Sequence, residues 1–189
     1  MCDKAAIGGI THPVCRHTYT IDGVFSAVAY ASVAKKLMYV FKYKPYVTDV
    51  QKLLWEIMYE SLIQQERLMQ LLEEKPLLVP IPLSPKKLKT RGYNHAALLS
   101  HGLAQHFSLP EADVLIRTRE TTSQFALPKE ERKINLQGAF SLKNTHDFTG
   151  KVVFLVDDIV TTGATLQEAA KVLKKAHVRN VFGVTFAAD

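Results

Sequence analysis

The sequence predicts an α/β fold: a mainly parallel sheet flanked by helices, preceded by a helical N-terminal segment. Three observations predict it. The apolar run Val152 to Val156 has strand length and no polar alternation, as expected of a strand covered on both faces. After residue 76, short apolar runs alternate with helical stretches, the order that builds parallel βαβ units. Before that point, apolar residues recur every three or four positions, the period of a helix.

Taken in order, residues 1–22 read as irregular, with Gly8-Gly9 and His12-Pro13 and few apolar positions. Gly23 to Tyr30 alternates loosely, as a short strand does. Val33 to Phe41 reads as a helix and Val47 to about Leu72 as a second, with Val50, Leu53, Leu54, Ile57, Met58, Leu68, Leu71 and Leu72 on its repeating face. Pro45 separates the two and Pro76 ends the second, since proline lacks the amide proton a helix interior needs. Leu77 to Leu83 reads as a strand, Leu88 to Phe107 as a helix interrupted only by Gly102, and Val114 to Arg119 as a strand. A long polar stretch runs from Glu120 to Gln137. Gly138 to Leu142 is a short strand, Lys151 to Val156 a buried one, Thr165 to Ala176 a helix and Val181 to Phe186 the last strand. The chain divides near residue 75.

A chain of 189 residues suits one domain or one domain with an appendage, and 47% apolar with 22% charged residues excludes a disordered or fibrous protein. Apolar runs such as Val152 to Val156 are far too short to span a bilayer, so no membrane insertion is expected. No secretory signal pattern opens the sequence, and two cysteines, Cys2 and Cys15, suit a reducing cytoplasm better than a disulfide framework. Lys and Arg number 24 against 18 Asp and Glu, a net charge of +6 that favours an anionic partner. The excess is uneven. No acid occurs in residues 23–48 or 75–110, while Lys86, Lys87, Lys89 and Arg91 crowd together.

The stretch Val152-Val153-Phe154-Leu155-Val156-Asp157-Asp158-Ile159-Val160-Thr161-Thr162-Gly163-Ala164-Thr165 carries most of the chemistry. A buried strand ends in two carboxylates, at the sheet end where open α/β proteins bind ligands. A hydroxyl-rich turn follows, with a glycine able to take positive φ, and a helix begins at once. Free amides of its first turn favour a bound anion, and Thr161, Thr162 and Thr165 add hydroxyl donors. Asp157 and Asp158 accept hydrogen bonds and cannot donate them, so they suit vicinal ribose hydroxyls or a metal, not phosphate. Neither a Walker A loop nor Gly-x-Gly-x-x-Gly occurs.

This stretch resembles the PRPP-binding fingerprint of type I phosphoribosyltransferases. The resemblance implies that Asp157 and Asp158 hold the ribose hydroxyls of PRPP (5-phosphoribosyl diphosphate) and that Thr161, Thr162, Gly163, Ala164 and Thr165 cradle its 5′-phosphate, with Mg²⁺ accompanying the ligand. It also implies the type I phosphoribosyltransferase fold with a helical N-terminal hood. The loop after Leu77 to Leu83, Val79-Pro80-Ile81-Pro82-Leu83-Ser84-Pro85, lies where that fold binds pyrophosphate. Arg91 suits that group because a guanidinium binds phosphate oxygens bidentately. Lys86, Lys87 and Lys89 read as a solvated helix start. Arg117, Arg119, Thr122, Gln124, Arg132 and Asn135 lie in or beside the polar stretch, which in such enzymes closes over PRPP. Arg117 and Arg132 would there stabilise charge on the departing pyrophosphate.

Pro80-x-Pro82, Arg91-Gly92-Tyr93-Asn94, Thr121-x-x-Gln124, Arg132-x-x-Asn135 and the Asp157-Asp158 loop together resemble the ComF/GntX-like family, associated with DNA uptake in competent bacteria. Asp22-Gly23 and Phe41-Lys42-Tyr43 resemble that family's N-terminal segment. The likeness runs from about residue 10 onward. It implies three parts: residues 1–22 as the remnant of a zinc-binding element, 23–75 as the helical N-terminal hood and 76–189 as the phosphoribosyltransferase-like α/β core. Relatives open with a four-ligand cysteine-rich zinc element. Here Cys2, His12 and Cys15 supply three candidate Zn²⁺ ligands where a structural site wants four. Either the chain starts one ligand late, His17 substitutes, or there is no metal.

Two functions follow from these readings. One is an enzyme that transfers phosphoribose from Mg²⁺-PRPP to an acceptor held under the hood. The other is a single-stranded-DNA-handling competence protein in which PRPP is regulatory or vestigial. Lys42, Tyr43 and Lys44, with Tyr39, Phe41 and Tyr46 nearby, are the candidate DNA contacts, since rings and cations suit unpaired bases and their backbone.

Overall fold

The computed structural model describes residues 7–43, 47–119, 136–143 and 147–189. A four-stranded parallel sheet forms its centre, in the order β1 (Gly23–Ala29), β6 (Asn180–Ala188), β5 (Val152–Val160), β2 (Leu77–Pro80). The helices are α1 (Ser32–Tyr43), α2 (Val47–Leu62), α3 (Glu66–Leu72), α4 (Pro85–Arg91), α5 (His95–Phe107) and α6 (Ala164–Lys175). Two short strands, β3 (Leu115–Arg117) and β4 (Phe140–Leu142), pair antiparallel apart from the main sheet.

Successive strand residues face opposite sides of a sheet, and this alternation builds two apolar layers. Phe154 and Val156 of β5 join Phe182, Val184 and Phe186 of β6 under Met38 and Phe41 of α1, Leu54 and Met58 of α2, and Leu99 and Leu103 of α5. Val153 and Leu155 face the other way, with Val181, against Leu166, Ala169, Ala170 and Leu173 of α6 and against Leu115 and Phe140. The unbroken apolar run of β5 therefore has a partner layer on each side.

Residues 23–75 contribute to the same core. β1 pairs in parallel with β6 from Gly23 opposite Phe182 to Ala29 opposite Ala188, and Leu68 and Leu71 of α3 belong to the layer that contains Phe154. Residue 75 marks a change of element type within one packed body.

Several element boundaries differ from the expected ones, three of them with consequences for the fold. The helix expected from Leu88 to Phe107 is two helices. Gly92 takes a left-handed conformation (φ 80°) that ends α4, and Asn94 Oδ1 accepts from the Ala96 amide at 3.2 Å to start α5. Gly102 lies inside α5 without breaking it. It is there for room: a Cβ at this position would fall 2.2 Å from the Trp55 ring. Residues 47–72 likewise form two helices, α2 and α3, because the chain turns at residues 63–65. Finally, β5 continues past Val156 through both aspartates to Val160. Among the described residues no helix is long and apolar enough to cross a membrane.

Candidate functional site

β2 runs beside β5 only as far as Pro80 opposite Val156, after which the Ile81 amide donates to the Val156 carbonyl at 2.9 Å. The chain then leaves the sheet through Pro82 to Ser84. β5 goes on with β6 as its neighbour, pairing Asp157 with Thr185 and Val160 with Ala188. The parting of β2 from β5 opens a crevice at the carboxyl ends of the strands, the usual ligand position in such sheets. It is a cavity of about 210 Å³ whose walls include Lys42, Ile81, Pro82, Leu83, Lys87, Arg91, His95, Arg117, Asp157, Asp158, Thr161 and Thr165.

The strand alternation gives the two acids different surroundings. Asp158 shares the face of Phe154 and Val156, toward α1 and α5, and its Oδ2 lies 2.5 Å from the Lys42 ammonium, with side chains 16% and 11% exposed. Asp157 shares the face of Val153 and Leu155, and its Oδ1 accepts from the Asp158 amide at 2.8 Å. Burial, followed by the adjacent Asp158 charge, pushes the Asp157 carboxyl well above the usual carboxylate range; the Asp158 amide, Lys42 and Arg117 oppose that rise.

Arg91 ends α4 and crosses to α1. Its guanidinium donates to the Tyr43 hydroxyl at 3.2 Å and lies 5.2 Å from the centre of that ring. It also meets His95 Nδ1 at 3.3 Å. Arginine only donates, so Nδ1 accepts and the imidazole proton sits on Nε2, which is buried and makes no hydrogen bond of normal geometry among the described residues. The ring is packed edge-on against Phe41 and Tyr93, at 5.4 and 5.1 Å between centroids. Burial lowers the His95 pKa to about 4, outweighing the Asp158 carboxylate and the Lys42 backbone, which favour the charged ring; the Arg91 and Lys42 cations add to the lowering. His95 is therefore a neutral spacer between cations at neutral pH.

The turn after β5 has the expected form. Gly163 is left-handed (φ 70°) and precedes the first residue of α6, and the Thr162 hydroxyl accepts from the Ala164 amide at 3.4 Å. Thr161 to Thr165 line a concavity with Asp157. Arg117, at the end of β3, lies 5.6 Å above the Phe140 ring and reaches the crevice wall. Thus Arg91, Arg117, Asp157, Asp158 and the Thr161 to Thr165 turn gather at one place, whereas Arg132, Thr121, Thr122, Gln124 and Asn135 lie outside the described residues. Of the three lysines read as a solvated helix start, Lys86 and Lys89 are exposed, and Lys87 lines the crevice.

The structure bears on two further expectations. Lys42, read as a DNA contact, points into the crevice and is bound to Asp158, because Phe41 anchors the last turn of α1 in the core. Tyr43 is exposed but engages Arg91, and Lys44 lies outside the described residues. The zinc expectation finds no support. Among the described residues no three His, Cys, Asp or Glu side chains come together as a metal would require, and His12 and Cys15 are two ligands where zinc wants four. Cys2 lies outside the described residues.

Sequence reasoning missed Lys42, Tyr30, His95 and Asp189 as crevice residues. His95 carried one usable signal, its place directly after Arg91-Gly92-Tyr93-Asn94, and Lys42 another, its place in Phe41-Lys42-Tyr43, while Tyr30 and Asp189 carried none.

Comparison with known proteins bears on the family to which this fold belongs. The chain matches the phosphoribosyl transferase domain over residues 94–189. It is 38% identical over 106 residues to Competence protein F of Haemophilus influenzae, covering 55% of this chain and 46% of that protein. It is 37% identical over 110 residues to Competence protein ComFC of Bacillus subtilis, covering 58% and 43%. Over 97 residues it is 35% identical to DNA utilization protein YhgH of Escherichia coli, covering 51% and 42%. The matched stretch spans less than half the length of each of these relatives. The parallel sheet, its crevice and these matches lead to one assignment: the chain belongs to the phosphoribosyl transferase domain family, among its ComF-like members.

Proposed function

We propose that the crevice binds Mg²⁺-PRPP and that the protein transfers its phosphoribosyl group to an acceptor, releasing pyrophosphate. The observation that carries the reading is the juxtaposition of two carboxylates, a hydroxyl-rich turn at a helix start, and the cations Arg91 and Arg117 around one cavity. Each matches one part of the ligand: carboxylates accept from ribose hydroxyls, the Thr161 to Thr165 turn donates to the 5′-phosphate, and guanidinium groups suit the diphosphate. In the transfer, the acceptor forms a bond to the anomeric carbon as the bond to the diphosphate oxygen breaks. The chain's part is to hold the sugar, exclude water and stabilise charge on the leaving group.

Asp157 and Asp158 are oxygen donors of the kind Mg²⁺ takes alongside phosphate oxygens and water, and the ion would neutralise charge on the departing diphosphate. The test is thermal unfolding in phosphate-free buffer with and without Mg²⁺-PRPP. Ligand at 100 times its dissociation constant is expected to add about 2.7 kcal/mol, and pyrophosphate release with candidate acceptors would then establish turnover. An unfolding curve that ignores Mg²⁺-PRPP refutes the reading.

A second reading, single-stranded DNA handling with PRPP as a regulator, is favoured by the outer face of α1. Tyr39 and Tyr43 are each 57% exposed there, 5.3 Å apart, and Lys35 and Lys36 are exposed in a stretch without acids. The names of the relatives, competence and DNA utilization proteins, point the same way. A labelled oligonucleotide whose binding weakens with salt and with Tyr39→Ala/Lys36→Ala supports this reading, and binding indifferent to both removes it.

A further inference from the structure

The last turn of α1 is tied into the crevice at three points. Tyr93 donates its hydroxyl proton to the Phe41 carbonyl at 2.5 Å, Tyr43 receives Arg91, and Lys42 binds Asp158. A partly buried ion pair contributes little net stability once desolvation is counted, so this lysine is poorly explained as a structural brace. An ammonium has three N–H donors. Asp158 takes one, and among the described residues Lys42 has no other side-chain partner. The remaining donors belong to a group that lines the cavity. Lys42 and Arg91 both line the cavity; Arg91 lies 3.3 Å from His95 Nδ1, and both cations act electrostatically on that neutral ring. Two cations lining one cavity suit a polyanionic ligand.

We infer that Lys42 is a specificity-determining residue of the phosphoribosyl site: anchored on Asp158, its ammonium donates to the diphosphate of the incoming ligand. The inference rests on the phosphoribosyl reading and deepens it. Asp158 then serves two ends of the same ligand, accepting from the ribose and aiming Lys42 at the diphosphate. The N-terminal helical segment thereby supplies a ligand contact and is more than a cover. A ligand without the diphosphate, such as ribose 5-phosphate, would gain nothing from Lys42.

The experiment measures binding of Mg²⁺-PRPP, Mg²⁺-pyrophosphate and ribose 5-phosphate to wild type, Lys42→Met and Lys42→Arg by calorimetry, with circular dichroism to verify folding. Loss of a charge-assisted contact is expected to weaken Mg²⁺-PRPP and Mg²⁺-pyrophosphate about ten-fold or more in Lys42→Met. Ribose 5-phosphate should change little, and Lys42→Arg should retain most of the preference. If Lys42→Met weakens all three ligands equally, Lys42 only orients Asp158 and the inference is overturned. Unchanged affinities in a folded Lys42→Met overturn it too. Wild type that binds none of the ligands overturns the phosphoribosyl reading itself, and the inference with it.

Discussion

Replacing Asp157 with asparagine should stabilise the fold while damaging the site. The Asp157 carboxyl sits beside Asp158 in a partly buried position, and burial and that neighbouring charge raise its pKa. The folded protein therefore holds the Asp157 proton more tightly than the unfolded chain does. Wild-type stability from this group is present at low pH and is lost as pH rises through the folded pKa. Asparagine keeps the shape and can still accept from the Asp158 amide, which now lies 2.8 Å from Asp157 Oδ1, but carries no charge. A pKa one unit higher in the folded state corresponds to about 1.4 kcal/mol, so a gain of roughly 1–3 kcal/mol is expected at pH 8, shrinking toward pH 5. The loss of a charged acceptor should at the same time lower Mg²⁺-PRPP affinity about ten-fold or more. Urea unfolding of both proteins at pH 5 and pH 8 reads the first effect and calorimetry the second. A variant no more stable than wild type at pH 8, or a difference that does not grow with pH, refutes the account of Asp157.

Two further substitutions probe other parts of the fold. His95 is lowered from 6.5 to about 4, so the unfolded chain binds more protons between those values and wild-type stability falls as pH drops through them. Between pH 7 and pH 5 that loss is about 2 kcal/mol; His95→Leu should show a smaller drop in denaturant midpoint, and an equal drop would mean the ring is not kept neutral by burial. Gly102→Ala places a methyl group 2.2 Å from the Trp55 ring, whose indole N–H donates to the Leu98 carbonyl at 2.9 Å. Forcing α2 and α5 apart should cost about 1–3 kcal/mol, read by thermal unfolding, and a neutral result would show that the two helices separate freely.

One wall of the crevice is legible along the chain because its parts are contiguous. An apolar run, two acids, a Thr-Thr-Gly turn and a helix start occupy residues 152–165, and local backbone preference is enough to set their relative positions. The parallel sheet is legible for a similar reason, since the alternation of strand and helix leaves few other ways to cover β5 on both faces. Helix limits are harder. Arg91 to His95 reads as helix interior, and only the left-handed Gly92 with the Asn94 cap divides α4 from α5 there.

What the tertiary structure alone decided is which distant residues meet the acids. Lys42 and Asp158 are far apart in sequence, and although Phe41-Lys42-Tyr43 sets this lysine apart from Lys35 and Lys36, nothing local says that it meets an acid. Their meeting depends on the strand order β1-β6-β5-β2, on Phe41 anchoring α1 against the sheet, and on the even parity that turns Asp158 toward that helix. A pattern of residues encodes the faces of each element, but the partner of a face is chosen by the packing of the whole chain, and that choice made a lysine of the N-terminal helix part of the site.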